Sequence, residues 1–393
     1  MAATTTEAAL ELVLDGEIRP VAGDEARAEA LLPSAVPQSH AANLLPLSNG
    51  DLACVWFAGT QEGLPDISIY WSKLKAGEAV WSEAVKLSDD PGHSEQNPVL
   101  FPAPDGRLWL LYTSQDFGNQ DTSVIKYRIS EDGGESWGPI GQLFEDQGVF
   151  IRQRIVVLDN GDWLLPIFLC RPNANGKWDG SNDTSAVRIS SDRGRNWTQY
   201  NVPDSLGAVH MNVLKTADGL VAFYRSRWAD FILRSTSRDG RVWSAPVATP
   251  LPNNNSSIQV SRLASGRLAV VYNHKSAADS VERRRSLYDE IDGGGETVTA
   301  LRPDRAAVWG VPRAPLSIAL SEDDGVTWRF RRDIETGDGY CLSNESREAS
   351  RNRELSYPTV TQSADGTVHV AYTYFRRAIK YVRLSEDWAM QSA

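Results

Sequence analysis

Five histidines stand in the 393-residue chain; His40 in SHAANLL, His93 in GHSEQNP and His210 in AVHMN sit in polar or mixed phrases, and no pair has metal-ligand spacing. An unperturbed imidazole titrates near about pH 6.5, which suits a general base. Glu354 and Tyr357 share the phrase ELSYPTV, a carboxylate and a phenol able to serve as proton donor, acid or nucleophile. Arginines come in close groups: Arg152 with Arg154, Arg171, Arg225 with Arg227 in FYRSRWAD, and Arg376 in TYFRRAIK. A guanidinium fork holds a carboxylate through two parallel bonds. Together these residue types can recognise a small anion and move a proton on it.

The rest of the composition sharpens that expectation. A formal net charge of -11 argues against nucleic acid or an anionic membrane surface as partner, since both need a broad basic face. No apolar run reaches transmembrane length, and MAATTTEAALELVLDG lacks the basic start and apolar stretch of a signal peptide, so a cytoplasmic location is expected. Cys54, Cys170 and Cys341 are far apart and odd in number, which reads as three small core residues rather than a disulfide framework or a zinc site.

The elements that must position this chemistry repeat along the chain. Six hairpin phrases, of the type LFPAPDGRLWLLY, place an Asn-Gly, Asp-Gly or Ser-Gly turn between two apolar strands, with glycines at 50, 106, 161, 219, 266 and 366. A second phrase, Ser-x-Asp-x-Gly-x-x-Trp, follows at Ser130 to Trp137, Ser190 to Trp197 and Ser321 to Trp328, with a shorter version at Ser237 to Trp243. Its Asp and Ser side chains can bond the amides of their own turn, so Asp132, Asp192, Asp239 and Asp323 read as turn staples and not as catalytic groups. Each unit is then four strands. Six units predict an all-β, six-bladed β-propeller with four-stranded antiparallel blades at about 40–90, 91–145, 146–203, 204–250, 251–335 and 354–390. A strand at 10–18 is expected to close the last blade, and 275–314 is an insertion that would serve as a lid or an oligomer contact.

Counting back from the hairpin glycines aligns the six first strands. Six residues before stand Leu44, Leu100, Ile155, Val213, Val260 and Val360, all apolar, as expected between blades. Nine before stand Ala41, Asn97, Arg152, His210, Ser257 and Tyr357; seven before stand Asn43, Val99, Arg154, Asn212, Gln259 and Thr359. In a regular strand positions seven and nine share one side, so this polar set is expected to line the central channel as one wall. The long loops on the face opposite the turns make that face the candidate site. Gln96, Asn97, Arg152, Arg154, Asn212 and Gln259 are expected to line it, and His93, Arg171, Arg225, Arg227, Asn273, His274 and Arg376 to reach it from loops and second strands. His369, mid-strand in TVHVAY, reads as structural.

The Ser-x-Asp-x-Gly-x-x-Trp phrases resemble the Asp-box, or BNR, repeats of the sialidase superfamily over roughly residues 40 to 390. The resemblance implies a carbohydrate-active enzyme cleaving a terminal acidic sugar. Sialidases hold the substrate carboxylate with three arginines, the first in an Arg-Ile-Pro phrase whose place is taken here by His40, and use a sixth-blade tyrosine at the offset of Tyr357. The similarity also extends to propeller lyases that split rhamnose from glucuronate. There an arginine would neutralise a uronate carboxylate, His40 or His210 would remove the adjacent proton and Tyr357 would protonate the leaving oxygen. Hydrolysis by Tyr357 and Glu354, as in a sialidase-like exo-glycosidase, is the first expectation; elimination is the alternative, and a propeller that only binds glycan is the third. No cofactor is expected, although a Ca2+ held by carbonyls on the axis would leave no trace in the sequence.

Overall fold

A computed structural model describes residues 12–174, 176–281, 283–284, 287, 306–336, 341 and 354–391. It is a ring of six antiparallel sheets, five formed by consecutive strands and the sixth closed by strands from the N-terminal end of the chain. The first blade comprises Gln38–Pro46, Leu52–Gly59, Ser68–Leu74 and Val85–Lys86; the fourth, Ala208–Thr216, Gly219–Ser226, Phe231–Ser237 and Val247–Pro252. All six hairpin glycines have positive φ, from 86° to 131°, the conformation these turns require. The six apolar residues aligned at the first strands are all buried, and each falls in a different apolar cluster. Period-2 patterning therefore builds six inter-blade cores, and each such side chain contributes roughly 1.5–3 kcal/mol. The three cysteines are free and buried.

The polar turns are self-bonded. Ser190 Oγ donates to Asp192 Oδ1 at 2.8 Å and accepts the Gly194 amide at 2.8 Å, while Asp192 Oδ1 accepts the Asn196 amide at 2.8 Å. The same pattern recurs at Ser130 and Ser321. Arg241, from such a turn in the fourth blade, pairs with Asp162 in the third-blade hairpin turn at 2.8 Å, so both kinds of turn share one face.

Two features depart from the sequence expectation. The strand that closes the sixth blade is Asp24–Leu31, pairing with Ala378–Leu384, and not 10–18; Glu17 makes one isolated bridge with Val80, and residues 10 and 11 lie outside the described residues. Ala28 and Ala30 face inward at 8% and 4% exposure, a period-2 pattern hidden in an Ala/Glu-rich segment of low β-propensity. The first strand of the third blade is also split into Val149–Phe150 and Val156–Val157, both paired to Trp163–Leu169, and residues 151–155 between them belong to no strand. Most of the 275–314 insertion lies outside the described residues.

Candidate active site

The first strands do not run regularly past the axis. In four blades the ladder register shifts between His40 and Asn43, Gln96 and Val99, Val209 and Asn212, and Ser356 and Thr359. At each shift one residue adopts a left-handed backbone: Ala41 (φ 61°), Asn97 (φ 49°), His210 (φ 57°) and Tyr357 (φ 49°). Such a conformation is uncommon outside glycine, and for histidine and tyrosine it is a cost that the surrounding fold must hold in place. The bulge breaks the parity expected of positions seven and nine, so the polar set forms two layers instead of one wall.

The upper layer is the candidate site. The Tyr357 ring lies 4.3 Å from the His40 ring and 5.7 Å from the His210 ring, centroid to centroid. Arg225 Nη1 donates to Tyr357 Oη at 2.7 Å and Arg225 Nε to Asn255 Oδ1 at 2.7 Å, while its buried Nη2 has no partner. His210 Nδ1 is 3.1 Å from Ser257 Oγ; His40 Nδ1 is 2.7 Å from Thr373 Oγ1, and His40 Nε2 is buried without a partner. Burial, reinforced by surrounding arginines, holds both imidazoles well below their ordinary 6.5, hence neutral. Burial likewise pulls the Arg225 guanidinium down to about 9, still on the charged side of neutrality.

The carboxylates near this layer are spent on other arginines. Glu354 Oε1 accepts from Arg376 Nε, Arg313 Nη1 and Ser356 Oγ, each at 2.7 Å, and Arg376 also pairs with Glu62. Burial alone would raise the Glu354 carboxyl, but Arg313, Arg376 and the Ser356 hydroxyl outweigh it and hold the group at about 2. Arg227 makes a two-pronged pair with Asp183 Oδ2 at 2.6 and 3.0 Å, both side chains being fully buried, and its guanidinium lies 5.5 and 5.1 Å from the Trp178 and Trp309 rings. Arg152 spans the axis beneath Tyr357, donating to the carbonyls of Ala41, Ala42 and Tyr357 at 3.0–3.3 Å and to Ser257 Oγ at 3.2 Å. It forms the floor of the layer.

Other sequence candidates lie elsewhere. Arg154, Asn212 and Gln259 sit in the lower layer, below Arg152. His93 is at the rim between Asp90 (2.9 Å) and Asp116 (3.3 Å), and Arg171 is exposed. Asn273 Nδ2 clips the carbonyls of Arg313, Pro315 and Leu355, and His274 bonds Tyr272 Oη at 2.6 Å. Gln96 and Asn97 are buried at the second-blade bulge, each with an unpartnered side-chain oxygen. His369 is satisfied by Tyr381 Oη and Ser363 Oγ at 2.7 and 2.8 Å. Residues not anticipated from sequence are Arg313, Asp183, Glu62, Asn255 and Trp309. The asparagine run PNNNSS was the one signal available, for Asn255.

A strap closes the site. Residues 306–314 cross the layer, held by Val308 N to Arg227 O (2.8 Å), Asn255 Nδ2 to Val308 O (2.8 Å), Asn254 Nδ2 to Pro312 O (2.9 Å) and Trp309 Nε1 to Asp179 O (3.1 Å). The cavity left beside Arg313, Glu354 and Trp309 is about 20 Å³, room for about one water. Among the described residues no cluster of three or more His, Cys, Asp or Glu could hold a metal, and no helix is long and apolar enough to cross a membrane.

This architecture has known counterparts. The Hadza microbial sialidase Hz136 superposes with a TM-score of 0.66 at 14% identity, covering 90% of this chain and 67% of that one. The intramolecular trans-sialidase from Ruminococcus gnavus, in complex with oseltamivir carboxylate, gives 0.65 at 13% identity over 98% and 100%. A protein of unknown function from Dyadobacter fermentans gives 0.65 at 17% identity over 91% and 97%. Among curated proteins, none matches this sequence. A family model described as a BNR repeat-like domain matches residues 50–370, most of the chain. The chain therefore belongs to the BNR repeat-like domain family and is a sialidase-like six-bladed β-propeller.

Proposed function

We propose that this protein is a carbohydrate-active enzyme that releases a sugar linked through the carbon β to a uronate carboxylate, by β-elimination at the Tyr357 layer. The observation that carries the reading is Arg225: a buried guanidinium with neutral partners and a free Nη2, set against a phenol and within one layer of two neutral histidines. In this reaction Arg225 binds the uronate carboxylate and withdraws charge from the neighbouring carbon. His210 or His40 takes the proton from that carbon, the carbon–oxygen bond to the leaving group breaks, a carbon–carbon double bond forms, and the Tyr357 hydroxyl protonates the departing oxygen. A base held neutral by burial needs no prior deprotonation at neutral pH. The substrate enters only when the 306–314 strap moves aside.

Hydrolysis is the second reading, favoured by the likeness to proteins described as sialidases and by the position of Tyr357 as a nucleophile. It needs a base for the phenol. Glu354 is committed to Arg313 and Arg376, so His40, with its unpartnered Nε2, takes that role. Incubation with rhamnosyl-glucuronate oligosaccharides, in which the uronate carries the leaving sugar, and with sialosides separates the readings. Growth of the ultraviolet absorbance of an unsaturated uronate supports elimination, and release of free sugar without it supports hydrolysis. Silence on both panels, with saturable glycan binding, would overturn both in favour of a binding propeller.

A further inference from the structure

The lower layer is a belt. At four blade junctions the side chain seven residues before the hairpin glycine accepts the axial amide of the next blade: Asn43 from Leu100 (3.1 Å), Asn212 from Val260 (2.7 Å), Gln259 from Val360 (2.7 Å) and Thr359 from Leu44 (3.1 Å). Each bond ties one blade to its neighbour across the axis. The pattern fails at two junctions: Val99 in the second blade has no polar side chain, and Arg154 in the third offers donors and no acceptor.

Arg154 is itself unbalanced. Among the described residues no carboxylate lies within ion-pair distance of it; its one hydrogen bond is Nε to Asn43 Oδ1 at 3.4 Å, and Nη2 is buried without a partner. Asn43 is fully buried, and its Nδ2 is also unpartnered. Of the two, Arg154 faces the junction of the third and fourth blades. A cavity of about 320 Å³ opens there, lined by Gln153, Arg154, Asn212, Val213, Lys215 and Gln259 among others. It lies on the turn side of the Arg152 floor, so it is separate from the Tyr357 layer. Burial lowers the Arg154 guanidinium to about 10, the cost of a cation that no protein anion offsets.

We propose that this cavity is a small-oxyanion site, in which a sulfate, phosphate or carboxylate supplies the acceptor oxygens that the unpartnered Arg154 Nη2 lacks. Such an ion would lock the third and fourth blades together at the axis. The occupant is identified by charge and acceptor geometry: a cation or an apolar ligand would leave the same donors orphaned.

The test uses the full chain and sodium sulfate as probe, titrated calorimetrically at constant ionic strength. The wild type is expected to bind sulfate saturably, and Arg154→Met to bind at least about tenfold more weakly, since a charge-assisted contact is lost. Asn212→Asp keeps the acceptor for the Val260 amide and places a carboxylate in the cavity. It is expected to lose sulfate binding while melting no lower than the wild type, and it carries the test if Arg154→Met does not fold. Equal sulfate affinity in wild type and Arg154→Met, absence of saturable binding in the wild type, or a lower melting temperature for Asn212→Asp would each overturn the proposal. None of these readouts depends on turnover, so the outcome is independent of the reaction proposed above.

Discussion

Arg225 and Arg227 are two residues apart, both buried, and differ in one respect: Arg227 has Asp183, and Arg225 has no carboxylate partner among the described residues. Replacing each by methionine should therefore give opposite results. Arg227→Met leaves the Asp183 carboxylate fully buried with the Trp178 indole donor at 2.9 Å but without its cation. Breaking a buried pair from one side costs about 3–5 kcal/mol. The midpoint of denaturant unfolding should fall accordingly, and adding Asp183→Asn should recover most of the loss because the orphaned charge is gone. Arg225→Met removes a buried cation that no acid offsets, so the fold loses two hydrogen bonds to neutral acceptors but also a desolvation penalty, and the midpoint should move little. Turnover is where it should suffer. Loss of a charged contact to the substrate and of the bond that positions Tyr357 amounts to about 3–6 kcal/mol, a fall of roughly 10² to 10⁴ in kcat/KM. An unchanged unfolding midpoint in Arg227→Met, or full kcat/KM in Arg225→Met, would refute this division of labour.

Four further outcomes follow from the same contacts. His40 and His210 refuse in the folded state a proton that the unfolded chain accepts near 6.5, because burial and the neighbouring arginines disfavour the imidazolium. Stability is then complete above pH 6.5 and declines as the pH falls, by about 1.4 kcal/mol per unit for each histidine, and His40→Gln or His210→Gln should flatten urea-derived stability against pH by one such increment. The acid limb of kcat/KM should likewise lie below 6.5 in the wild type; a limb above it would exclude a neutral buried base. Ser321→Ala should destabilise by about 1–2 kcal/mol in equilibrium unfolding, because the buried Gly325 amide loses its acceptor at 2.9 Å. Trp309→Ala should free the strap, so that His40 and His210 become reactive to diethyl pyrocarbonate while His93, at the rim, reacts in both proteins; equal protection of the two buried histidines in the variant would show that the strap does not gate the layer.

Local pattern was enough to read the scaffold. Alternating apolar residues, a glycine turn and a serine–aspartate staple act within one blade, at separations of a few residues, so six repeats announce six blades and six cores without reference to anything distant. The position of Tyr357, His40 and His210 at the starts of first strands was legible for the same reason. Their arrangement was not. The left-handed bulge at His210 and Tyr357 splits one expected wall into a site above Arg152 and a belt below it, and nothing in a period-2 pattern marks where a ladder slips. The closing strand Asp24–Leu31 was hidden because its pairing with Ala378–Leu384, far along the chain, rather than its own propensity, makes it a strand. Periodicity and turn motifs were sufficient for the blades, their turns and the expectation of chemistry-bearing residues around one axis. Which arginines are spent and which are free depended on packing: Asp183 reaches Arg227 from the neighbouring blade, Glu62 reaches Arg376 across the closure of the ring, and Glu354 meets Arg376 where two strands of the sixth blade lie side by side, at distances where charge interactions are strong.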